Sequence, residues 1–337
     1  MNHPSLFGDD EALDKELRRS VKKRSQRRAD AFEEARTFGG WTVDKLDLIK
    51  LYHRLYLQVA GGGTYVDGFA GSGRARIKGE VMERPGSVEL AIADGSFSRL
   101  LVFEKSPRVV AQLRSNLSQK FGPKTLKKVW IRQGDFNKEV LSDLDAGNIP
   151  KDKPCFALLD PDSTQLDWST IEALASYKGG DPPRDCRPEL LILFNTDQAL
   201  VRLIPREQDL EYADSAMART LDRVMGGRKA WEDLNGPQLT AVDLMNRYRH
   251  NLQGLGYAYT TAVPILSIAG MKPRRQYFMV QASEHPKARD LMLWAETAMY
   301  RARGVEALLP TEMFADREMR PTPPVPMVDE DDAPELD

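Results

Sequence analysis

The stretch Asp67-Gly68-Phe69-Ala70-Gly71-Ser72-Gly73 sets a carboxylate directly before a cluster of glycines. Glycines let a backbone turn sharply and approach a ligand closely. A dinucleotide loop would follow G-x-G-x-x-G and open at once into a helix facing a pyrophosphate. Here the spacing differs, and a long polar segment delays the helix. An acid at this point repels a pyrophosphate but suits the ammonium of an aminoacyl-sulfonium nucleoside, S-adenosylmethionine. Two further acids are placed to help: Glu104 to accept from a ribose diol, and Asp135 to accept from an adenine amino group. Each acid alone also fits a helix cap or a surface charge. Their recurrence at the ends of successive strands is what points to a cofactor site made of Asp67, Gly68, Phe69, Ala70, Gly71, Gly73, Glu104 and Asp135.

A second constellation is Asp160-Pro161-Asp162-Ser163. Amino-group methyltransferases acting on nucleic acid often carry Asp/Asn-Pro-Pro-aromatic at this place. The polar residue and a carbonyl hold the target amine, and the ring stacks on an extruded base. Asp162 and Ser163 stand where the second proline and the ring would be, so a stacked base is not expected. Asp160, Pro161 and Asp162 are the candidate catalytic residues. A carboxylate pair also fits a cation or a different amine, and Ser163 fits an ordinary helix cap. Arg74, Arg76 and Arg84, with Lys78, are candidates to meet a phosphate-bearing substrate; a solvated loop fits them equally. Two cysteines and four histidines show no ligand spacing, so no metal is expected. No Ser-His-Asp or Cys-His arrangement is visible.

These groups need a frame, and the sequence alternates strands with helices to supply one. "WTVDKLDLIKLYHRLYLQV" has apolar residues at helical spacing, with Thr42 as a candidate cap. "TYVDGF" is a strand, and "SVELAIADG" a helix with Ser87 at its cap. "LLVFE", "VWIRQGD", "CFALLD" and "ELLILFN" are further strands. "SPRVVAQLRSNLSQKFG" is a helix that opens on Pro107 and stops at Gly122. Strands this apolar, separated by helices, predict a parallel sheet covered on both faces. After Asn195 the pattern turns helical to about residue 255. "YAYTTAVPIL" and "RQYFMVQAS" then read as a hairpin before the helix "HPKARDLMLWAETAMYR", with His285 at its start. The fold class expected is α/β, a Rossmann-like methyltransferase sheet with an antiparallel edge. Ligands of such sheets sit beyond the carboxyl ends of the strands, at the switch point.

Residues 38–318 form the α/β domain in this reading, with a helical insertion at about 196–255. Residues 1–37 make a basic arm whose segment 15–28, "KELRRSVKKRSQRR", suits phosphate contacts or a charged, poorly ordered terminus. Residues 319–337, rich in proline and acid, read as disordered. The chain has 337 residues and a formal net charge of −2, so any nucleic-acid footprint must be local. Without a long apolar run, a membrane span or signal peptide is not expected, and a reducing cytoplasmic setting is.

With these residues in view, the sequence resembles the three-Cys-motif partner family, bacterial proteins encoded beside a protein with a three-cysteine motif. Four places carry the resemblance: "WTVDKLDLIKLY", "YVDGFAGSGR", "LLDPD" with "LLILFN", and "YFMVQASEHPKARDLM". It spans roughly residues 40 to 300. It implies a class I methyltransferase-like fold, S-adenosylmethionine as cofactor and a three-cysteine-motif protein as partner. Lys45 matches a lysine usual in the family's first helix and so joins the substrate-binding candidates. Asp162 departs from the aromatic that commonly follows Asp-Pro in the family. Three functions are carried forward. The leading one is a methyltransferase acting with a partner on an acceptor such as nucleic acid. The alternatives are a non-catalytic scaffold of the same fold and a metal-dependent nucleic-acid enzyme using Asp160 and Asp162.

Overall fold

The computed structural model describes residues 41–78, 82–178, 187–195, 200–204, 215–234, 239–269 and 272–302. The basic segment 15–28, Cys186 and the tail 319–337 lie outside the described residues.

The apolar runs become β1 (Gly63–Asp67), β4 (Phe97–Glu104), β5 (Val129–Gln133), β6 (Cys155–Leu159) and β7 (Glu189–Phe194). Every residue of β1, β6 and β7 is buried. That is why these strands show no alternation: helices cover both of their faces. Two late strands, β8 (Tyr259–Ala269) and β9 (Lys272–Ser283), complete a sheet of spatial order β5-β4-β1-β6-β7-β9-β8. The five earlier strands are mutually parallel, and β9 runs antiparallel to both β7 and β8. The expected hairpin therefore closes one edge of the sheet. The polar segment after the glycine turn folds into a short antiparallel ribbon, β2 (Arg74–Ala75) on β3 (Arg84–Pro85).

One face of the sheet carries α1 (Trp41–Ala60), α2 (Ser87–Ala93), α3 (Pro107–Lys120) and, after the short α4 (Pro123–Leu126), the closing α9 (Pro286–Ala302). Tyr52, Ile49, Leu113 and Met292 are among the residues buried there. The other face carries α5 (Phe136–Asp145), α6 (Trp168–Tyr177), α7 (Ala216–Met225) and α8 (Ala241–Gly254). Within 196–255, Leu221, Met225, Leu244 and Tyr248 enter the same core as Phe103 and Phe156's neighbour Ala157. The helical segment is thus one layer of the core. No described helix is long and apolar enough to cross a membrane.

Three helix boundaries differ from expectation. Thr42 lies inside α1 and is buried, so it is no cap. Gly86, not Ser87, is the N-cap of α2, which releases the Ser87 hydroxyl for another bond. Phe121 rather than Gly122 ends α3. Ser106 does cap α3, accepting from the Val109 N–H, with Pro107 at the first helical position. His285 precedes α9, and its Nδ1 accepts from the Lys287 N–H at 3.2 Å. Cys155 is buried in β6, and burial pushes its thiol up to about 12, so it behaves as a core side chain.

Candidate functional site

The spatial order of the parallel strands reverses between β1 and β6. A cleft of about 1140 Å³ opens there, beyond the strand carboxyl ends. Its walls include Gly68, Phe69, Ala70, Gly71 and Ser72 of the turn, together with Glu104, Asp135, Asp160 and Asp162. Lys45, Arg74 and Arg76 also line it. Segments separated by more than a hundred residues thus meet in one concavity.

The turn is held from three sides. Gly68 N–H donates to the Leu158 carbonyl and Ala70 N–H to that of Phe103, both at 3.0 Å. Gly68 packs so closely that a Cβ there would lie 3.1 Å from Leu159 and Phe136. Gly73 has φ +75°, and its Cβ would come within 2.7 Å of Leu113. A side chain at Gly68 would press on both neighbours, and at Gly73 the left-handed backbone favours glycine. Gly71 also has a left-handed backbone, φ +58°, but a Cβ there would meet nothing within 4 Å. The backbone there borders open space, as a ligand cradle requires.

Glu104 joins this turn to the next loop. Its Oε2 accepts from Gly71 N–H at 3.1 Å and its Oε1 from Ser106 N–H at 2.8 Å. Asp135 caps α5, accepting from Asn137 N–H at 3.1 Å, and meets the Lys105 ammonium at 2.9 Å. That ammonium holds the Asp135 carboxyl below its usual range. Both acids line the cleft while serving as local braces.

Asp67 is placed differently from expectation. It is fully buried and is not among the cleft walls. Its carboxylate accepts from Ser87 Oγ at 2.6 Å, Tyr65 OH at 3.1 Å and Phe69 N–H at 3.2 Å. Burial pushes its carboxyl up to about 6, although these three donors pull the other way. Asp67 therefore supports the turn from beneath, and a direct ligand contact is blocked by its burial. Gly73 and Pro161 are likewise not among the walls, and Pro161 is buried. Arg84 also lies off the cleft, in β3. Arg74 pairs with Glu89 at 3.1 Å, and Arg76 with Glu83 at 3.0 Å across the ribbon. Both side chains border the cleft already engaged.

At the far end, Lys45 of α1 sets its Nζ 2.5 Å from Asp160 Oδ2. The two side chains are 13% and 21% exposed, so the pair is largely shielded yet faces the cleft. Asp162 and Ser163 are exposed, and Ser163 has φ +75°, a backbone conformation rare outside glycine. Among the described residues there is no group of three or more His, Cys, Asp or Glu that could hold a metal ion.

Several positioning residues escaped the sequence reading. Asn137 donates to the Gln165 carbonyl at 2.8 Å and accepts from Asp167 N–H at 3.0 Å and Thr170 Oγ1 at 2.9 Å. It thereby ties the Asp135 loop to the segment after Asp160. Asn116 of α3 donates to the Ser72 carbonyl at 2.9 Å. Arg223 of α7 reaches Asp167 and donates to the Thr164 carbonyl at 2.8 Å. Asn137, two residues past an acid at a strand end, had a local signal as an Asx-type turn. Arg223 had none.

No family model and no curated protein matches the chain. Solved structures do. A putative caffeoyl-CoA O-methyltransferase from Staphylococcus aureus is 11% identical, with 80% of this chain and 99% of that one covered, at a TM-score of 0.39. M. jannaschii TYW2 in complex with AdoMet is 12% identical, covering 74% and 78%, at 0.38. A putative O-methyltransferase from Klebsiella pneumoniae is 11% identical, covering 70% and 80%, at 0.36. The fold is α/β, a mostly parallel sheet with an antiparallel edge.

Proposed function

We propose that this protein is an S-adenosylmethionine-dependent methyltransferase. The observation that carries the reading is convergence: an open-sided glycine turn, Glu104, Asp135 and Asp160 all border one cleft at the sheet's switch point. The residues present fit this cofactor. Gly71 leaves backbone room, and the acids Glu104 and Asp135 oppose a pyrophosphate while suiting hydroxyl and amino donors. S-Adenosylmethionine, when bound, supplies an electrophilic methyl group on a sulfonium. The chain's own work is then positional. The turn and Glu104 fix one partner, Asp160 and Lys45 border the place of the other, and holding two reactants in contact supplies much of the rate.

Calorimetry with S-adenosylmethionine on the full chain tests this. Saturable binding supports the reading, and no binding overturns it. Binding without methyl transfer to RNA, DNA or a co-purified protein favours a non-catalytic scaffold, for which the engaged Lys45–Asp160 pair is the motivating observation.

A three-cysteine-motif partner and nucleic-acid contact through residues 15–28 belong to this proposal on sequence grounds alone. Deleting 15–28 is expected to weaken nucleic-acid binding and flatten its salt dependence. An unchanged slope removes that arm from the proposal.

A further inference from the structure

The acceptor end of the cleft has a donor and an acceptor side by side. Among the described residues, Asp160 is the hydrogen-bond partner of the Lys45 ammonium, and Lys45 that of Asp160. An ammonium carries three N–H donors and a carboxylate two oxygens. After their mutual bond, the pair still offers N–H groups from Lys45 and the Oδ1 of Asp160. Lys45 comes from α1 and Asp160 from the end of β6, so two separate elements converge to build it. Neither residue that follows Pro161 is aromatic, Asp162 and Ser163 standing there.

A methyl acceptor must keep one lone pair for the incoming carbon. A neutral amine nitrogen has a single lone pair, so nothing is left to receive a Lys45 N–H. A hydroxyl oxygen has two lone pairs and one O–H. It satisfies the whole pair at once: one lone pair takes the Lys45 N–H, the O–H donates to Asp160, and the second lone pair attacks.

We propose that Lys45 and Asp160 together hold a hydroxyl group, making this an oxygen-methylating site. The inference rests on the methyltransferase reading. In the transfer, the hydroxyl oxygen's second lone pair forms the carbon–oxygen bond to the methyl carbon. The carbon–sulfur electron pair returns to sulfur, leaving a neutral thioether, and the O–H proton passes to the Asp160 carboxylate. The Lys45 ammonium stabilises the negative charge that gathers on oxygen as that proton leaves.

Phenol and aniline, both neutral at pH 7 and nearly equal in shape, are suitable probes. Each is titrated into the full chain with sinefungin present, an S-adenosylmethionine analogue whose ammonium stands at the methyl's place and takes the lone pair that would attack, following the NMR signal of the Lys45 side chain, assigned through Lys45→Arg. Phenol is expected to shift that signal saturably and to bind about five-fold more tightly than aniline, as one added hydrogen bond warrants. In Lys45→Met the preference is expected to disappear while folding, followed by circular dichroism, is kept. Equal or tighter aniline binding by the wild type overturns the proposal, and so does a Lys45 signal unmoved by phenol. The wild-type comparison stands even if Lys45→Met does not fold. Calorimetry of sinefungin on the same samples separates the two levels. Its absence of binding removes the methyltransferase reading, whereas normal binding without a phenol preference removes only the hydroxyl pair.

Discussion

Ser87 Oγ donates to Asp67 Oδ2 at 2.6 Å, joining the first residue of α2 to the last residue of β1. The bond exists because Gly86, not Ser87, caps the helix. It fixes the turn that lies between these two elements, and it makes Asp67 a buried support with an elevated pKa.

That burial gives stability a pH dependence of defined sign. The folded-state carboxyl of Asp67 sits at about 6, above its ordinary 3.8, and that of Glu189, buried against Tyr52 and Ser283, at about 7, above 4.5. A raised folded pKa means the folded chain holds the proton more tightly. The stabilisation is complete below the ordinary value and is lost as pH rises through the folded one. In Asp67→Asn, the amide oxygen keeps the Phe69 N–H bond, and the two hydroxyls turn to accept from its NH₂. Urea unfolding at pH 4, 6 and 8 is expected to show that wild type loses about 2 kcal/mol more than Asp67→Asn between pH 4 and 6. Parallel curves would refute the placement of Asp67.

Glu104 binds two backbone N–H groups at the edge of the cleft. Glu104→Ala leaves both without their acceptor and frees the turn. Each hydrogen bond to a charged group is worth about 1.5–3 kcal/mol. S-Adenosylmethionine binding is therefore expected to weaken at least ~10-fold in calorimetry.

Gly73→Ala places a side chain at φ +75° and against Leu113. A cost of about 1–3 kcal/mol is expected from the backbone alone. Denaturant midpoints check it, with the slope unchanged if the unfolded state is the same.

Arg223 ties α7 to the loop after Asp160 through Asp167 and the Thr164 carbonyl. Its side chain is 42% exposed, so Arg223→Ala is expected to cost under about 1 kcal/mol in global stability. The local effect is expected to be larger, with faster amide hydrogen exchange across residues 162–167 and no change in β1. Uniform exchange along the chain would contradict this role.

The layout is legible in the order of residues along the chain. Runs such as "CFALL" and, after Glu189, "LLILF" are apolar at every position because both faces of a central parallel strand are buried, and that pattern is local. It also brings three acids to one end of the sheet, since Glu104 ends β4 while Asp135 and Asp160 lie just past β5 and β6, and all three border the cleft. What it left open was which way each side chain is spent. Asp67 looked like a ligand contact because it precedes glycines, yet Tyr65, Ser87 and the Phe69 N–H consume it. Arg223 entered the cleft from a helix with no motif, and Lys45 met Asp160 across 115 positions of sequence. Backbone periodicity records burial, which neighbours along the chain share. Pairing between charged side chains depends on where distant elements cross, and that is decided only when the sheet and its helices pack.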